Sequence, residues 1–117
     1  MAVIDPILAD VQKPTAQARG LPNAHYTDQS KFDEERDALF GKGWAGLAVA
    51  SDVPKIGDAI PITFLGIPLL LIHGKDGEVR VFQNICRHRG MILVEEPRNI
   101  QGAIRCPYHS WCYSTQG

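Results

Sequence analysis

Residues 86–90 read CRHRG and residues 106–111 read CPYHSW, and these two segments are the most informative part of the sequence. These two segments hold two of the three cysteines and two of the four histidines in the chain. The pattern is C-x-H, then seventeen intervening residues, then C-x-x-H. Each segment offers one thiolate and one imidazole, and each is flanked by a predicted strand. Two loops of a β scaffold are therefore expected to face each other across one metal site.

Four ligands of this kind, Cys86, His88, Cys106 and His109, suit either a structural zinc ion or a Rieske [2Fe–2S] centre. Zinc sites usually pair like ligands locally, whereas each local pair here combines a cysteine with a histidine. In a Rieske centre two cysteines bind one iron and two histidines bind the other, so each loop can give one ligand to each iron. The mixed pairs favour the Rieske centre. Unliganded core cysteines and surface histidines are the weakest interpretation, because four such residues rarely fall into this double spacing by chance.

Composition narrows the class of protein around this site. The 117 residues are 44% hydrophobic and 21% charged, which is typical of one globular domain. A net charge of −1 gives no cationic field, so we expect no nucleic-acid partner. The longest apolar stretch, residues 67–72, is too short to cross a membrane. Because the N-terminus lacks a basic region followed by an apolar one, we expect a cytoplasmic protein whose cysteines are metal ligands or buried thiols and do not form disulfides.

The pattern of hydrophobic residues changes near residue 44, where short apolar runs begin. Residues 1–24 show no sustained period and are predicted to form an arm. A helix is predicted over about residues 28–40, with Thr27 or Asp28 as its cap and Gly41 at its end. A hairpin turn is predicted at residues 73–77. Short apolar runs predict the strands Trp44–Ala48, Asp58–Ile62, Pro68–Ile72, Val79–Asn84, Ala103–Arg105 and Trp111–Tyr113.

The two cysteine segments resemble the Rieske motif of the large (alpha) subunits of ring-hydroxylating, non-haem iron oxygenases. The resemblance covers about Leu21 to Gly117. It implies a mainly β fold of small antiparallel sheets with two cluster-binding loops, preceded by the helix. It also implies that Cys86 and Cys106 bind one iron while His88 and His109 bind the other. The residues that match the family before the first cysteine are Tyr26, Thr27, Asp28, Phe32, Glu35, Phe40, Trp44, Gly57, Asp58, Asp76, Gly77, Asn84 and Ile85.

The same resemblance implies a role in electron transfer. Residues 25–117 would be a Rieske domain, cut short at its C-terminal end. It would pass electrons from a reductase or ferredoxin to a mononuclear Fe(II) in a catalytic domain of the same or a neighbouring subunit, in a homotrimer. Only His25 and His73 are left after the cluster takes its ligands, so no two-histidine, one-carboxylate site is found. The substrates of the family include aromatic rings and quaternary amines.

Two other functions remain open. A stand-alone Rieske ferredoxin would carry the same cluster, although the helical lead-in argues against it. A zinc-stabilised binding module is the third hypothesis, and analysis of iron and acid-labile sulfide separates it from the other two.

Residues beside the ligands predict a low reduction potential. Rieske proteins of respiratory complexes have two further cysteines that link the loops by a disulfide, and Met91 and Tyr108 stand at those positions here. Their serine, which can donate to a cluster sulfur, is replaced by Trp111. Fewer donors stabilise the reduced cluster less, so we expect a potential nearer about −150 mV than +300 mV. Tyr113 retains a hydroxyl that can reach a sulfur.

The other neighbours have simpler expected roles. Arg87 and Arg89 would moderate the negative charge of the reduced cluster. Tyr108 and Trp111 are expected to pack under the loops and exclude water, and Trp44 is expected in the core.

Three further residues carry expectations of their own. Cys112 is expected to be a small buried residue with no ligand role. Ser110 stands where the family usually has glycine, so it would be strained if the backbone there has positive φ. Gly90 is expected to serve the tight loop after His88.

Overall fold

The computed structural model describes residues 6–117. The chain divides into two compact units, Met1–Ala45 and Gly46–Gly117. The boundary at residue 24 between an N-terminal arm and the Rieske domain stays a prediction. No helix in residues 6–117 combines the length and hydropathy that a membrane-spanning segment requires.

The first unit contains short helices joined by turns in its described residues. Its helices are α1 (Pro6–Ala9), α2 (Ala24–Thr27) and α3 (Gln29–Glu35), and a π-helical turn follows at Arg36–Phe40. The helix predicted over residues 28–40 is therefore present as α3 plus this turn, whereas α1 lies in the predicted arm. The rest of that arm's prediction falls partly outside the described residues.

The two ends of this helix follow from backbone hydrogen bonds. Asp28 precedes α3, but its carboxylate makes no capping bond; its carbonyl accepts the N–H groups of Lys31 and Phe32 instead. At the other end the Gly41 N–H donates to the Arg36 carbonyl over 2.8 Å, the five-residue step of a π-helix. The predicted end of the helix at Gly41 is confirmed.

The second unit is built on a four-stranded antiparallel sheet of order β3-β2-β1-β4, accompanied by a two-stranded sheet, β5-β6. A 3₁₀ turn at Ala50–Asp52 precedes both sheets. The strands are β1 (Asp58–Phe64), β2 (Ile67–His73), β3 (Val79–Gln83), β4 (Arg98–Asn99), β5 (Ile104–Arg105) and β6 (Cys112–Tyr113). Five of the six predicted strands are confirmed to within two residues at either end.

Two tight turns fix the register of the large sheet. Leu65 and Gly66 join β1 to β2 with φ of 53° and 79°, so the pair adopts the left-handed conformation that suits a two-residue hairpin loop. This loop pairs Phe64 with Ile67. The turn between β2 and β3 closes where it was predicted, with the Gly74 N–H donating to the Glu78 carbonyl over 2.8 Å.

The predicted strand Trp44–Ala48 is wrong, and so is the core position of Trp44. Residues 44–48 form no strand, and the Trp44 side chain is fully exposed. Without a pairing partner this segment has no sheet face on which the indole can pack. The short strand β4 was not predicted, because two polar residues show no alternation. It forms by pairing with Asp58 and Ala59 of β1.

The core of the second unit contains both candidate thiols. It is formed by Ala59, Leu70, Ile72, Cys86, Leu93, Val94, Ile100, Ile104 and Cys106, with Phe82, Met91 and Tyr113 packed against it. Cys86 and Cys106 are each only 2% exposed. Any ligand that these thiols bind is therefore attached directly to the hydrophobic core.

The last turn of the chain is tied to the hairpin between β2 and β3. The buried Thr115 hydroxyl accepts the Lys75 N–H over 3.2 Å, and the Gln116 amide donates to Asp76 over 3.0 Å. Asp76 also accepts two hydrogen bonds from Arg80, of 2.8 and 2.7 Å. The Arg80 hydrogen bonds, followed by that of Gln116, lower the pKa of Asp76 well below its usual value. Residues 114–117 are thus held in place by the hairpin.

Asn84 connects β3 to the first cysteine segment through a buried side chain. Its amide nitrogen donates to the Val94 carbonyl over 2.7 Å, and its amide oxygen accepts the Val94 N–H over 3.0 Å. The side chain thus satisfies both backbone groups of a fully buried residue. This pair of bonds holds the segment after Met91 against the end of β3.

Replacing Asn84 by alanine is expected to lower the free energy of unfolding by about 2–4 kcal/mol, since it leaves two backbone groups of Val94 buried without partners. Urea unfolding followed by circular dichroism measures the loss. The neighbouring exposed residue provides the control, because Gln83→Ala should change stability by less than about 0.5 kcal/mol. Equal effects of the two substitutions would contradict this role of Asn84.

Candidate metal centre

Cys86 and Cys106 each start a loop of six residues that is closed by backbone hydrogen bonds. In residues 86–91 the Gly90 N–H donates to the Cys86 carbonyl over 3.0 Å, and the Cys86 N–H donates to the Met91 carbonyl over 2.7 Å. We call this segment loop 1. Loop 2, residues 106–111, repeats the pattern. The Ser110 N–H donates to the Cys106 carbonyl over 3.0 Å, and the Cys106 N–H donates to the Trp111 carbonyl over 2.8 Å.

An antiparallel pair of residues brackets each loop. Ile85 and Ile92 form an isolated bridge on either side of loop 1. Arg105 of β5 pairs with Cys112 of β6 on either side of loop 2. Both loops are therefore tips of short β-pairs, which is the scaffold that the sequence predicted for the metal site.

The fifth residue of each loop has a left-handed backbone. Gly90 has φ of 73° and Ser110 has φ of 59°. Glycine adopts this conformation without strain, whereas a side chain with a Cβ atom does so at a cost. The expectation for Ser110 is confirmed, because its position does require positive φ.

The thiols lie at the inner side of the two loops. The Tyr113 hydroxyl is 3.1 Å from the Cys86 sulfur and accepts the Arg87 N–H over 2.9 Å. When Cys86 is a thiolate it has no proton, so the Tyr113 hydroxyl is then the donor in this contact. The Tyr113 hydrogen bond lowers the pKa of Cys86, and a hydrogen bond with the Cys106 side chain contributes in the same direction. The same contact with Cys86 raises the pKa of Tyr113.

The imidazoles lie at the exposed side of the loops. His88 and His109 are both exposed, and their ring centroids are 5.0 Å apart at an interplanar angle of 75°. In the part of the chain that the structure describes, no three Cys, His, Asp or Glu side chains surround one point as a single metal ion requires. The four candidate ligands instead form an inner pair of thiols and an outer pair of imidazoles. This donor set fits a group with two metal ions.

Tyr108 and Trp111 flank the imidazoles and do not lie beneath the loops. The Trp111 ring stacks on His88 with centroids 4.9 Å apart and an interplanar angle of 10°. The Tyr108 ring is 3.8 Å from His109, tilted by 35°. The two side chains are 56% and 48% exposed, for Tyr108 and Trp111 respectively. The expected position under the loops is wrong, because both side chains are about half exposed and lie against the imidazoles.

The expectation that Cys112 is buried is wrong, and the two histidines outside the loops lie in other elements. Cys112 is exposed and not buried; its neighbour Tyr113 packs on the core, so the alternation of a strand turns Cys112 to the opposite side. Its sulfur donates to the Ser110 carbonyl over 3.3 Å. His73 lies in β2, where its ring nitrogen Nδ1 is 2.8 Å from the Val53 carbonyl. His25 lies in α2.

The arginines of loop 1 differ in their surroundings. Both are exposed. The Arg89 guanidinium lies 5.8 Å from the centroid of the Tyr108 ring, within the range of a cation–π contact. Arg87 contributes its backbone N–H to Tyr113. The sequence did not predict the contacts of Arg89 and Trp111 across the two loops, because they join residues about twenty positions apart.

Exchanging serine and glycine between the loops tests the strain at residue 110. Ser110→Gly is expected to raise the free energy of unfolding by about 0.5–1 kcal/mol, because the left-handed backbone no longer opposes a Cβ atom. The matched change Gly90→Ser should lower it by about the same amount. Thermal unfolding of the two variants at equal iron content measures both shifts. A destabilised Ser110→Gly variant would show that the hydroxyl is needed more than the backbone is strained.

Comparison with known protein families identifies this arrangement. The family model described as the Rieske [2Fe-2S] domain matches residues 43–117, which is more than half of the chain. The oxygenase subunit of carnitine monooxygenase from Escherichia coli K12 is 33% identical over 101 residues, which cover 86% of this chain and 27% of that protein. The alpha subunit of 2-aminobenzenesulfonate 2,3-dioxygenase from an Alcaligenes species is 38% identical over 112 residues, which cover 93% of this chain and 28% of that protein.

Solved structures agree with these relatives. Naphthalene 1,2-dioxygenase from a Rhodococcus species, bound to indole, aligns with a TM-score of 0.81 and 35% identity over 95% of this chain and 24% of that one. A quaternary ammonium Rieske monooxygenase in complex with L-carnitine aligns with a TM-score of 0.77 and 34% identity, over 86% of this chain and 28% of that one. The chain thus spans about a quarter of the length of the proteins that it matches.

These findings confirm the mainly β fold class and the resemblance to Rieske oxygenase alpha subunits. The matched region contains both loops, the two sheets and the core that joins them. The chain belongs to the Rieske [2Fe–2S] domain family, whose cofactor is the iron–sulfur cluster and whose role is electron transfer.

Proposed function

We propose that this chain carries single electrons through a [2Fe–2S] cluster held by Cys86 and Cys106 on one iron and by His88 and His109 on the other. The observation that carries this proposal is the split of the four side chains into buried thiols and exposed imidazoles. Two thiolates, two sulfides and two ferric ions have zero net charge with neutral imidazoles. A neutral group of this kind can be attached to an apolar core at low electrostatic cost.

The surroundings of the two ligand pairs support different roles. The buried thiols anchor the group, and the Cys86 sulfur receives the Tyr113 hydrogen bond, which favours extra negative charge on that sulfur. The exposed imidazoles are the part that a partner protein can approach, so we assign the entry and exit of electrons to His88 and His109. The exposed charges of Arg87 and Arg89 moderate the negative charge after electron uptake.

We further propose that the chain is the Rieske part of an oxygenase alpha subunit. Its relatives include oxygenase subunits that act on carnitine and on 2-aminobenzenesulfonate, according to their names. In such a subunit, electrons would come from a reductase or ferredoxin and would continue to a mononuclear Fe(II) in the catalytic domain of the same or a neighbouring subunit of a trimer. The substrate would be an aromatic ring or a quaternary amine. The oxygenase relatives favour this hypothesis over a stand-alone ferredoxin.

A structural zinc ion fits the geometry less well. A single zinc ion needs its ligands around one point, and in residues 6–117 no three suitable side chains are arranged in that way. Two irons bridged by sulfides span a wider gap, which suits an inner pair of thiols and an outer pair of imidazoles.

The ligand assignment is tested by metal analysis of alanine and serine variants. The unchanged chain should contain about two irons and two acid-labile sulfides, and His88→Ala and His109→Ala should each lose most of both. Cys86→Ser and Cys106→Ser should behave likewise. Two controls outside the site, His25→Ala and Cys112→Ser, should keep the full content. If both histidine variants retain the electron paramagnetic resonance signal of the reduced cluster, the assignment is wrong; zinc without sulfide would overturn the cluster itself.

Tyr113→Phe is expected to lower the reduction potential by roughly 40 mV, which corresponds to about 1 kcal/mol for one electron. The hydroxyl that donates to the Cys86 sulfur stabilises the reduced form more than the oxidised one, so its removal disfavours reduction. A spectroscopic redox titration measures the shift. Tyr26→Phe changes an exposed tyrosine of the first unit and should leave the potential unaltered. An unchanged potential in Tyr113→Phe with an intact cluster would contradict the role of this hydrogen bond.

A further inference from the structure

We infer that Trp111 and Arg89 are positioning residues that join the two loops without a covalent bond and hold the imidazoles in place. The five side chains involved, which we call the cross-loop stack, are Trp111, His88, His109, Tyr108 and Arg89. This inference rests on the ligand set proposed above, and it adds to that set the means by which the two loops keep their relative positions.

The first contact runs from loop 2 to loop 1. Trp111 lies almost parallel to His88, with an interplanar angle of 10° and a centroid distance of 4.9 Å, which is an offset stack. The Trp111 backbone is itself fixed, because its carbonyl accepts the Cys106 N–H over 2.8 Å. The Trp111 indole, which loop 2 holds in place, thus restricts the His88 imidazole of loop 1.

The second contact runs in the opposite direction. Tyr108 of loop 2 lies over its neighbour His109, with centroids 3.8 Å apart. The guanidinium of Arg89, from loop 1, lies 5.8 Å from the centroid of the same tyrosine ring. Loop 1 therefore restricts the tyrosine that covers His109, just as loop 2 restricts His88. The two histidine rings meet edge to face between these contacts.

Apart from the stack, a hydrogen bond between the Cys86 and Cys106 side chains joins the two loops at their buried side, and Tyr113 contacts loop 1 there. The backbone hydrogen bonds of Cys86 and Cys106 close within their own loops, and in residues 6–117 no backbone bond joins residues 86–91 to 106–111. None of the three cysteines forms a disulfide, so no covalent bond links the two loops. The cross-loop stack connects the same two segments at the exposed side, where the core does not reach.

The inference predicts what each contact contributes. An aromatic pair is worth roughly a two- to tenfold change in an equilibrium, and an exposed cation–π contact roughly two- to fivefold. Loss of the Trp111 stack should free the His88 ring and allow loop 1 to open more often. Cluster iron should then be released faster, and the ligand-field environment of the histidine-bound iron should become less uniform.

The first test compares the chain with Trp111→Leu and Trp111→Phe. Transfer of iron to a chelator should be about five- to tenfold faster in Trp111→Leu, and its reduced-state electron paramagnetic resonance spectrum should broaden. Trp111→Phe keeps an aromatic face and should stay within about twofold of the unchanged chain. Trp44→Leu removes the fully exposed tryptophan of the first unit and serves as the matched control.

Three results would overturn the inference for Trp111. They are an unaltered release rate in Trp111→Leu, an unaltered spectrum in that variant, and a Trp111→Phe variant as impaired as Trp111→Leu. Iron and sulfide analysis of the unchanged chain comes first, because a chain without the cluster refutes the proposed function, whereas a loaded chain insensitive to Trp111 refutes only the stack.

The second test uses exposed side chains, so it remains informative if Trp111→Leu fails to fold. Arg89→Gln should speed iron release by about two- to threefold in the unchanged chain and have little further effect in Tyr108→Leu, since the ring is then gone. Arg105→Gln removes an exposed charge one residue before Cys106 and should have no such dependence. Additive effects of Arg89→Gln and Tyr108→Leu would show that the two residues do not act together.

Discussion

The buried position of the two thiols is the constraint on which the rest of the second unit depends. Cys86 and Cys106 are core residues, and each begins a loop that must leave the core and return within six residues. Two backbone hydrogen bonds to each cysteine close that path. The side chains in the middle of so short a loop have no room inward, and so both histidines face outward. A buried anchor and an exposed imidazole are thus two consequences of one local geometry.

The scaffold around the loops serves the same constraint. Short antiparallel pairs hold the two ends of each loop together, and Asn84 substitutes its side chain for a backbone partner beside loop 1. The fifth position of either loop must adopt positive φ, which glycine meets freely and Ser110 meets with strain. The strain is tolerated because the bonds that close loop 2 leave its backbone no alternative path.

The sequence predicted the chemistry of the site better than the directions of its side chains. Ligand spacing, turn residues and short apolar runs are local signals, and they yielded the helix, five of the strands and the two loops. Whether Cys112 or Tyr113 faces the core depends on how a two-residue strand sits on a distant sheet, which no local pattern encodes. The same holds for Trp111, whose partner His88 belongs to the other loop. Trp44 is exposed and lies outside any strand, because a short apolar run does not show whether a pairing strand exists.

The relatives of this chain act on chemically unrelated substrates, yet they resemble it about equally. Identity is 33% to the carnitine monooxygenase subunit and 38% to the 2-aminobenzenesulfonate 2,3-dioxygenase subunit. A quaternary amine and an aromatic sulfonate need different binding pockets, so residues that recognise either one should differ between the two groups. The matched region contains the loops, core and β-pairs of the Rieske scaffold, which accounts for its similarity to both groups of relatives.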